Sequence, residues 1–334
     1  MEKSKILITG ASGCVGANLT KKLVEEGNDV RIFILKGTWH PFLDGLKLEV
    51  ITGDITNIKD VYKAMEGCDY VYQIAGIVSY NKLDEDLIYK VNYLGTKNIL
   101  EVAKTLKVKK VVVTASTAGI GIPKNKLPLN EDSQFDYKKY KKVMYMYSKH
   151  LVIKECEKYA KQNLNVSIVS PTTIYGQGDL CMHIGNVVKK IKEGKLKLIP
   201  PGGNSVLSVD DVIDAHILVM KKGRSGENYI FANESITYKE MFSTIAKSLN
   251  VKKPKLITPY WILEPTKLSL SLMEYALLPL NKKPLLSPHS INFTFKYRYF
   301  DSNKARMELG WKPKQTFEES INKAIKFYTD YKLI

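Results

Sequence analysis

The chain has 334 residues, a formal net charge of +17 and an apolar fraction of 44%. This length predicts one large domain or two intimately packed ones, and the composition is that of a globular protein. The most apolar segment, 256–280, is interrupted by charged residues, so no transmembrane segment is expected. The first residues lack the pattern of a signal peptide, and a cytoplasmic location is expected.

The positive charge has two interpretations. It favours contact with nucleic acid or an anionic membrane, or it reflects lysines on every exposed surface. The lysines are spread from end to end of the chain, which favours the second interpretation. No specific nucleic-acid partner is therefore expected, although a positive field would help to attract an anionic cofactor or substrate.

The cysteines and histidines exclude two classes of site. Five histidines show no metal-ligand spacing, and the cysteines are scattered at Cys14, Cys68, Cys156 and Cys181. This pattern predicts no bound metal and no disulfide framework, and it fits a reducing compartment.

A strand, a glycine turn and a helix open the chain. Lys5–Thr9 is a short apolar run typical of a buried strand, and Gly10, Gly13 and Gly16 precede a stretch with helical spacing of apolar residues. Glycines let a backbone approach a pyrophosphate, which then lies at the helix N-terminus, where free N–H groups favour negative charge. A plain tight turn is the less favoured interpretation.

The second predicted strand, Val30–Leu35, is followed by Lys36. At this position a carboxylate binds the ribose 2′-hydroxyl of NAD, whereas a cation accommodates the 2′-phosphate of NADP. Lys36 therefore predicts NADP, with NAD as the alternative. The competing interpretation is an ordinary surface lysine at the end of a strand.

Strands and helices alternate through the first half of the chain. Further strands are predicted at 48–52, 70–74, 111–113 and 166–170, and helices near 58–66, 84–106 and 138–162. This alternation predicts an α/β fold with a Rossmann-type doubly wound parallel sheet. Ligands bind such sheets at the carboxyl ends of the strands, where the glycine turn, Ala75-Gly76 and Ser116 all fall.

Tyr145 and Lys149 stand four residues apart in a predicted helix and so share a face. A nearby ammonium is expected to lower the pKa of Tyr145, which suits a residue that exchanges a proton with a carbonyl or an alcohol. The spacing alone does not select this pair, because it recurs at Tyr93/Lys97, Tyr137/Lys141 and Tyr328/Lys332.

Beyond Pro171 the pattern is irregular and is expected to form the substrate-binding region. Helices are predicted over 182–193, 211–222, 301–309 and 316–331, with Asp210 as an N-cap and His216 as a packing residue. For the apolar helix predicted within 256–296, core packing is favoured over a pocket wall, a dimer face or a membrane contact.

The predicted domains are 1–171, which binds the nucleotide, and 172–334, which forms a smaller α/β subdomain that binds the substrate. Residues 205–222 are expected to return to the first domain. The chain contains no internal repeat and no low-complexity linker, so the two parts are expected to share one folded body. A homodimer is left open.

Nine stretches together resemble the extended branch of the short-chain dehydrogenase/reductase family, of the NAD-dependent epimerase/dehydratase type. They are TGASGCVG (9–16), GDIT (53–56), IAG (74–76), VNYLGTKNILEVA (91–103), TASTAGIG (114–121), YMYSK (145–149), PTTIYGQGD (171–179), SVDDVIDAH (208–216) and FDSNKARMELGW (300–311). The resemblance covers nearly the whole chain. It selects Tyr145 and Lys149, since Ser148 precedes the lysine as in the family.

The resemblance implies a role for each of these residues. Tyr145 would be the acid/base, Ser116 would hydrogen-bond the substrate carbonyl, and Lys149 would bind the nicotinamide ribose. Hydride transfer itself belongs to the nicotinamide. The residues expected to bind the cofactor are Gly10, Ser12, Gly13, Cys14, Val15, Gly16, Lys36, Asp54, Ile55, Ala75, Gly76, Thr114, Tyr145, Lys149, Pro171, Thr172 and Thr173.

Three departures from the family pattern bear on the function. Gln73 replaces the histidine of many relatives and has no assigned role. Thr117-Ala118 replaces the acidic residues of the dehydratases, and Asn204 replaces an arginine of relatives that bind nucleotide-diphosphate sugars.

The departures favour an NADPH-dependent reductase of a ketone or aldehyde on a hydrophobic small molecule, similar to dihydroflavonol reductases and hydroxysteroid dehydrogenases. The alternative is a nucleotide-sugar epimerase with tightly bound NAD. A non-enzymatic NADP sensor is disfavoured, because such members of the broader family usually lose the Tyr/Lys pair.

Overall fold

The computed structural model describes residues 4–284 and 286–334. Thirteen strands lie within these ranges: β1 Lys5–Thr9, β2 Asp29–Ile34, β3 Glu49–Thr52, β4 Tyr70–Gln73, β5 Lys110–Thr114, β6 Val166–Pro171, β7 Thr173–Tyr175, β8 Leu198–Ile199, β9 Gly203–Ser208, β10 Asn228–Phe231, β11 Glu234–Thr237, β12 Leu256–Ile257 and β13 Tyr297–Arg298.

Twelve α-helices connect these strands within the same ranges. They are α1 Cys14–Glu25, α2 Ile58–Met65, α3 Glu85–Ile88, α4 Gly95–Thr105, α5 Tyr137–Tyr140, α6 Met144–Ala160, α7 Gly185–Lys192, α8 Val209–Lys222, α9 Tyr238–Ser248, α10 Leu263–Leu277, α11 Pro288–Thr294 and α12 Phe317–Asp330.

Seven strands form one parallel sheet in the order β10-β6-β5-β4-β1-β2-β3. Successive residues of β1 point to opposite faces, so that Leu7 lies in one apolar layer and Ile8 in the other. The predicted doubly wound α/β fold is confirmed. The chain reverses direction across the sheet between β1 and β4, which places the switch point at their carboxyl ends.

Segments from the second half of the chain complete this sheet. Helix α8 packs against it through Val212 and Val219, which share an apolar layer with Leu19 and Val169. Strand β10 pairs with β6 and forms one edge. The division into domains 1–171 and 172–334 stays a prediction.

A second, smaller sheet is built around β9. Strand β11 pairs antiparallel on one side of β9, and β7 and β13 pair parallel on the other. Aromatic residues of α9 and α12, among them Phe242 and Phe327, form a separate apolar cluster beneath this sheet. The register brings Arg298 opposite Asn204, next to Thr173.

Two predicted helices differ from the structure. The helix predicted over 138–162 is divided into the single turn α5 and the long α6, because Val143 leaves helical geometry to bury its side chain against Phe135 and Tyr140. The helix predicted over 84–106 contains a π-helical stretch at 89–94 between α3 and α4.

The N-cap of α8 is Ser208 rather than Asp210, so that prediction is wrong. The Ser208 hydroxyl accepts a hydrogen bond of 3.1 Å from the Asp210 N–H, because the helix begins at Val209, two residues earlier than predicted. The Asp210 carboxylate instead accepts hydrogen bonds from Gln315 and Lys323 at 2.7 Å.

The prediction that the apolar helix within 256–296, which is α10, belongs to the core is also wrong. Of the fifteen residues of α10, only Leu263 and Glu274 are buried, and Leu268 and Leu272 are exposed. Neither α10 nor any other helix in the described part of the chain has the length and apolar content needed to cross a bilayer.

Candidate active site

The glycine turn lies between β1 and α1, and its three glycines meet different surroundings. A Cβ on Gly10, whose φ is +68°, would lie 2.7 Å from the Ala75 Cα, and one on Gly16 would lie 2.2 Å from the Gly10 carbonyl oxygen. A Cβ on Gly13 would meet only that oxygen, at 3.4 Å. The packing of the protein therefore requires Gly10 and Gly16, whereas Gly13 leaves its outer surface free for a close approach.

The turn has the features of a cradle for a pyrophosphate. Gly13 is the N-cap of α1 and is exposed, and no side chain caps the helix there. Ser12, Cys14 and Val15 are partly exposed around it. Free N–H groups and the helix dipole favour an anion at this end, so these residues fit a dinucleotide.

Cys14 is tied to the second half of the chain. Its Sγ donates to the Gln177 carbonyl oxygen at 3.4 Å, and burial raises the pKa of the thiol. The side chain is therefore a neutral packing group, and the predicted contact with the cofactor would come from its backbone N–H.

Gln73 and Thr9 tie the ends of β4 and β1 together. The Thr9 Oγ1 accepts from the N–H groups of Ile74 and Ala75, at 3.0 and 3.1 Å, and donates to the Gln73 side chain. The Gln73 amide then donates to the Thr96 hydroxyl at 3.3 Å and to the Ala75 carbonyl at 3.1 Å. Gln73, which had no role assigned from sequence, thus holds the loop that follows β4.

Three of the residues expected to bind the cofactor, Lys36, Asp54 and Ile55, follow β2 and β3. Lys36 is exposed two residues beyond β2. The Asp54 carboxylate accepts from the Thr56 N–H and hydroxyl at 2.8 Å and so shapes its own loop. Ile55 is buried against Gly95. These residues lie at the same edge of the sheet as the glycine turn, on the side of β1 away from Ser116.

Tyr145 and Lys149 lie one turn apart at the start of α6, and both are buried. The Ser116 side chain, just beyond β5, lies close enough to the Tyr145 hydroxyl to act on its pKa. The Lys149 Nζ donates to the Thr114 carbonyl at 2.9 Å and lies 3.4 Å from where a Cβ of Gly76 would be. The structure thus brings the three predicted catalytic residues to one end of β4 and β5.

Burial dominates the electrostatics of this cluster. Loss of water raises the pKa of Tyr145, while the Ser116 side chain and the charge of Arg298 act to lower it. Burial lowers the pKa of Lys149 to about 8. The prediction that Lys149 makes Tyr145 acidic is wrong in this structure, because the phenol is desolvated and the ammonium is directed at the Thr114 carbonyl.

Arg298 is a site residue that sequence reasoning missed. One of its terminal nitrogens donates to the Tyr238 hydroxyl at 3.1 Å, and its Nε is buried without a hydrogen-bond partner among residues 4–284 and 286–334. Its charge acts on Tyr145 and also on Tyr80 and Tyr175. The cation expected to be missing at Asn204 is therefore present on the neighbouring strand.

Asn92, in the π-helical stretch, was also missed. Its Oδ1 accepts from the Ile77 N–H at 2.7 Å, and its Nδ2 donates to the Ile77 carbonyl at 3.0 Å and to the Ser148 hydroxyl at 3.2 Å. It therefore fixes the loop after Gly76 relative to α6. The sequence motif that contains it, at 91–103, was recognised without assigning this residue a role.

Aromatic rings cover the Tyr145 side chain. Tyr80 meets it edge to face with ring centroids 5.4 Å apart, and Phe293 packs on Tyr80 at 5.2 Å. These residues come from the loop after β4 and from α11, so two separate parts of the chain form an apolar wall beside the hydroxyl.

The predicted residues at the end of β6 have mainly structural contacts. The Pro171 carbonyl accepts from the Thr117 hydroxyl at 3.4 Å, and the Thr172 hydroxyl donates to the Phe231 carbonyl at 3.2 Å. Thr173 is partly exposed and its hydroxyl accepts from the Asn204 amide. A ligand that hydrogen-bonds the Thr173 hydroxyl would therefore share this hydroxyl with the Asn204 amide.

The profile of the NAD-dependent epimerase/dehydratase family matches residues 6–232, and the chain therefore belongs to that family. The resemblance to extended short-chain dehydrogenases/reductases is confirmed. So is the prediction of an NAD(P)-dependent oxidoreductase that acts on CH–OH or C=O groups.

Curated relatives align along almost the whole chain. Sterol demethylase protein B of Methylococcus capsulatus is 30% identical over 318 residues, which cover 93% of this chain and 94% of that one. A Synechocystis sp. protein, whose name assigns it provisionally as a dihydroflavonol 4-reductase, is 26% identical over 97% of this chain and 94% of its own. The 3-beta-hydroxysteroid dehydrogenase of Mycolicibacterium neoaurum is 26% identical, with 98% and 92% covered.

Among solved structures, gox2253 has a TM-score of 0.85 and 24% identity, with 99% of each chain covered. This similarity supports the fold.

The contrast between Gly13 and Gly16 predicts different effects of the same substitution. Gly16→Ala should lower the free energy of unfolding by about 1–3 kcal/mol, because the added Cβ meets the Gly10 carbonyl. Gly13→Ala should change it by less than about 0.5 kcal/mol and instead weaken dinucleotide binding. Urea unfolding and cofactor titration measure the two effects, and equal destabilisation by both substitutions would contradict the assignment.

The lowered pKa of Lys149 predicts a pH-dependent contribution to stability. Between pH about 8 and about 10.5 the unfolded state binds more protons at this residue than the folded state, so its contribution rises with pH. The unfolding free energy of wild type minus that of Lys149→Met should therefore increase over this pH range, by up to about 3 kcal/mol. Lys154→Met, an exposed lysine of α6, is the control and should show no such trend.

Proposed function

We propose that this protein is an NADPH-dependent reductase that converts a ketone or aldehyde on an apolar, ring-bearing small molecule into the alcohol. The observation that carries the proposal is that Tyr145 and Lys149, both buried, lie one turn apart beside Ser116, at the edge of the sheet that carries the glycine turn. Ser116, Tyr145 and Lys149 would be the catalytic residues.

The protonation of Tyr145 suits the direction of reduction. Because burial raises its pKa, the phenol holds its proton near neutral pH and can give it to a carbonyl oxygen. Ser116 would hydrogen-bond the same oxygen. A bound nicotinamide supplies the hydride for the carbon atom.

The phenolate left after proton transfer would lie near two cationic side chains. Arg298 already acts on the Tyr145 hydroxyl in the direction that favours its ionised form. Lys149 would bind the nicotinamide ribose, and a ribose hydroxyl would compete with Thr114 for its Nζ. Each positive charge would stabilise the phenolate more strongly in this buried site than in water.

The expected substrate class follows from the apolar wall. Tyr80 and Phe293 place aromatic surface beside the reacting hydroxyl, which suits a flat hydrophobic ring system. Two of the relatives carry names that refer to sterols or hydroxysteroids, and they align over more than nine tenths of the chain. We therefore place a polycyclic, steroid-like ketone ahead of a sugar.

The choice of NADP rests on Lys36. No carboxylate lies among Leu35, Lys36 and Gly37, where NAD-specific proteins of this fold hold the ribose 2′-hydroxyl, and the lysine is exposed. Its ammonium is therefore free to pair with a 2′-phosphate.

A nucleotide-sugar epimerase with tightly bound NAD is the second candidate, and Arg298 is the observation that favours it. A buried guanidinium with a spare donor is suited to a phosphate. Purified protein that carries NAD and interconverts a sugar nucleotide without consuming added NADPH would support this function and exclude the reductase.

Replacing Tyr145 by Phe removes the proton donor but keeps the ring packing. Turnover should fall by a factor of about 10² to 10⁴, and the Kd for the cofactor should remain close to that of wild type. Tyr137→Phe is the matched control, since Tyr137 hydrogen-bonds His150 at 2.9 Å outside the catalytic cluster. Equal loss of kcat in both variants would refute the assignment of Tyr145.

Lys36→Asp should reverse the cofactor preference. The new carboxylate repels a 2′-phosphate and can accept hydrogen bonds from the ribose hydroxyls of NAD. The ratio of kcat/KM for NADPH to that for NADH should drop by about tenfold or more. Lys47→Asp, which makes the same charge change elsewhere, is the control. An unchanged ratio in the Lys36 variant would show that Lys36 does not contact the cofactor.

A further inference from the structure

Four large side chains form a stripe along the outer side of α10 and the turn before it. Trp261 is 75% exposed, Leu268 and Leu272 are each 63% exposed, and Tyr275 is 62% exposed. Their spacing of seven, four and three residues keeps them on one face. We call these four residues the apolar stripe.

The opposite side of α10 carries an acid. Glu274 is only 9% exposed, and its carboxylate accepts from the Lys82 N–H at 3.4 Å. The inward side of the helix therefore holds a carboxylate together with Leu263, whereas the apolar stripe faces outward. This is the reverse of the usual arrangement for a surface helix surrounded by water.

Neighbouring elements extend the exposed apolar surface. Strands β8 and β12 pair beside the start of this segment and expose Leu198, Leu256 and Ile257 by 50% or more. Beyond α10, Leu280 is 62% exposed. An apolar surface of this extent marks an interaction site.

The charge around the stripe is positive. Residues 252–283 contain six lysines and two glutamates, with Lys252, Lys253 and Lys255 before α10 and Lys282 and Lys283 after it. Glu264 pairs with Lys267 at 2.9 Å, and Glu274 is the buried one.

The acids that other elements bring close to this segment are largely compensated. Asp84 forms an ion pair with Lys283 at 2.7 Å, and burial raises the pKa of Glu85, which lies near Glu274. The stripe is thus surrounded by an excess of lysines.

We propose that this surface docks on an anionic phospholipid bilayer. Helix α10 would lie in the plane of the interface, with the apolar stripe among the upper acyl chains and the lysines against the lipid phosphates. A second copy of the chain fits less well. Two copies that each carry a charge of +17 would bring lysines against lysines across the same face.

The docking surface adjoins the candidate active site. The Lys82 ammonium lies 4.7 Å from the centroid of the Tyr275 ring, and two residues earlier Tyr80 packs on Tyr145. An apolar substrate dissolved in the bilayer would enter close to the catalytic hydroxyl. This last step rests on the proposed function, whereas the docking itself does not.

Co-sedimentation of the full chain with vesicles tests the docking. The protein should bind vesicles of phosphatidylcholine with phosphatidylglycerol, and bind pure phosphatidylcholine much less. Leu268→Ser/Leu272→Ser should weaken binding to the anionic vesicles by about tenfold or more. The control Leu127→Ser/Met307→Ser changes two apolar residues elsewhere that are at least as exposed, and it should bind like wild type.

Fluorescence gives an independent measurement. In a Trp39→Phe background Trp261 is the exposed tryptophan, since Trp311 is buried, and its emission should shift to shorter wavelength on anionic vesicles. Tyr145→Phe should bind vesicles like wild type, so loss of turnover and loss of docking remain distinguishable.

Three results would overturn the proposal. The first is equal vesicle binding by wild type and the Leu268/Leu272 variant, which would show that charge alone causes it. The second is no shift of Trp261 emission. The third is a dimer in sedimentation equilibrium that the Leu268/Leu272 substitutions dissociate, without vesicle binding by either protein, which would assign the surface to a second copy.

Discussion

The parallel pairing of β1 with β4 brings two backbones together so closely that no Cβ fits between Gly10 and Ala75. Thr9 reinforces this contact by accepting hydrogen bonds from the two N–H groups that follow β4 and by donating to Gln73. Because the chain reverses direction across the sheet at this pair of strands, the contact defines the crevice. The glycine turn enters it from one side, and the Lys149 ammonium reaches it from the other.

Desolvation shifts the pKa values of Tyr145 and Lys149, the two predicted catalytic residues of α6, in opposite directions. It raises the pKa of the acid, Tyr145, and lowers that of the base, Lys149, so it favours the neutral form of each. The phenol therefore keeps its proton at neutral pH. The guanidinium of Arg298 cannot lose its charge in this range, which makes it the constant positive charge near the reacting hydroxyl. A site that donates a proton requires this combination of a neutral acid and a fixed cation nearby.

Six of the seven strands of the large sheet could be predicted because they are short apolar runs, as at Lys5–Thr9. The edge strand β10, which comes from the second half of the chain, was not predicted. Helix spacing also showed that Tyr145 and Lys149 share a face. It did not show how deeply that face is buried, or that the Lys149 ammonium donates to the Thr114 carbonyl. The predicted direction of the Tyr145 pKa shift is wrong for this reason. Spacing describes one element, whereas the pKa depends on everything packed around it.

Contacts between distant parts of the chain could not be predicted either. Arg298 stands just before the motif FDSNKARMELGW and outside it, and it reaches the site only because β13 pairs with β9 opposite Asn204. The roles of Gln73 and Asn92 likewise depend on amide hydrogen bonds to loops that follow other strands. Such residues look like ordinary polar side chains until the register of the strands is known.

Helix α10 shows why an apolar pattern does not determine which way a helix faces. Its leucines predict a core helix, yet the buried side holds Leu263 together with the Glu274 carboxylate, which accepts a hydrogen bond from the backbone of the loop that carries Tyr80. Each exposed leucine forgoes about 1.5–3 kcal/mol that burial would contribute. Contact with the acyl chains of a bilayer would recover that free energy and would leave intact the hydrogen bond between Glu274 and the Lys82 N–H. The same loop covers Tyr145, so an event at the outer face of α10 bears directly on access to the reacting hydroxyl.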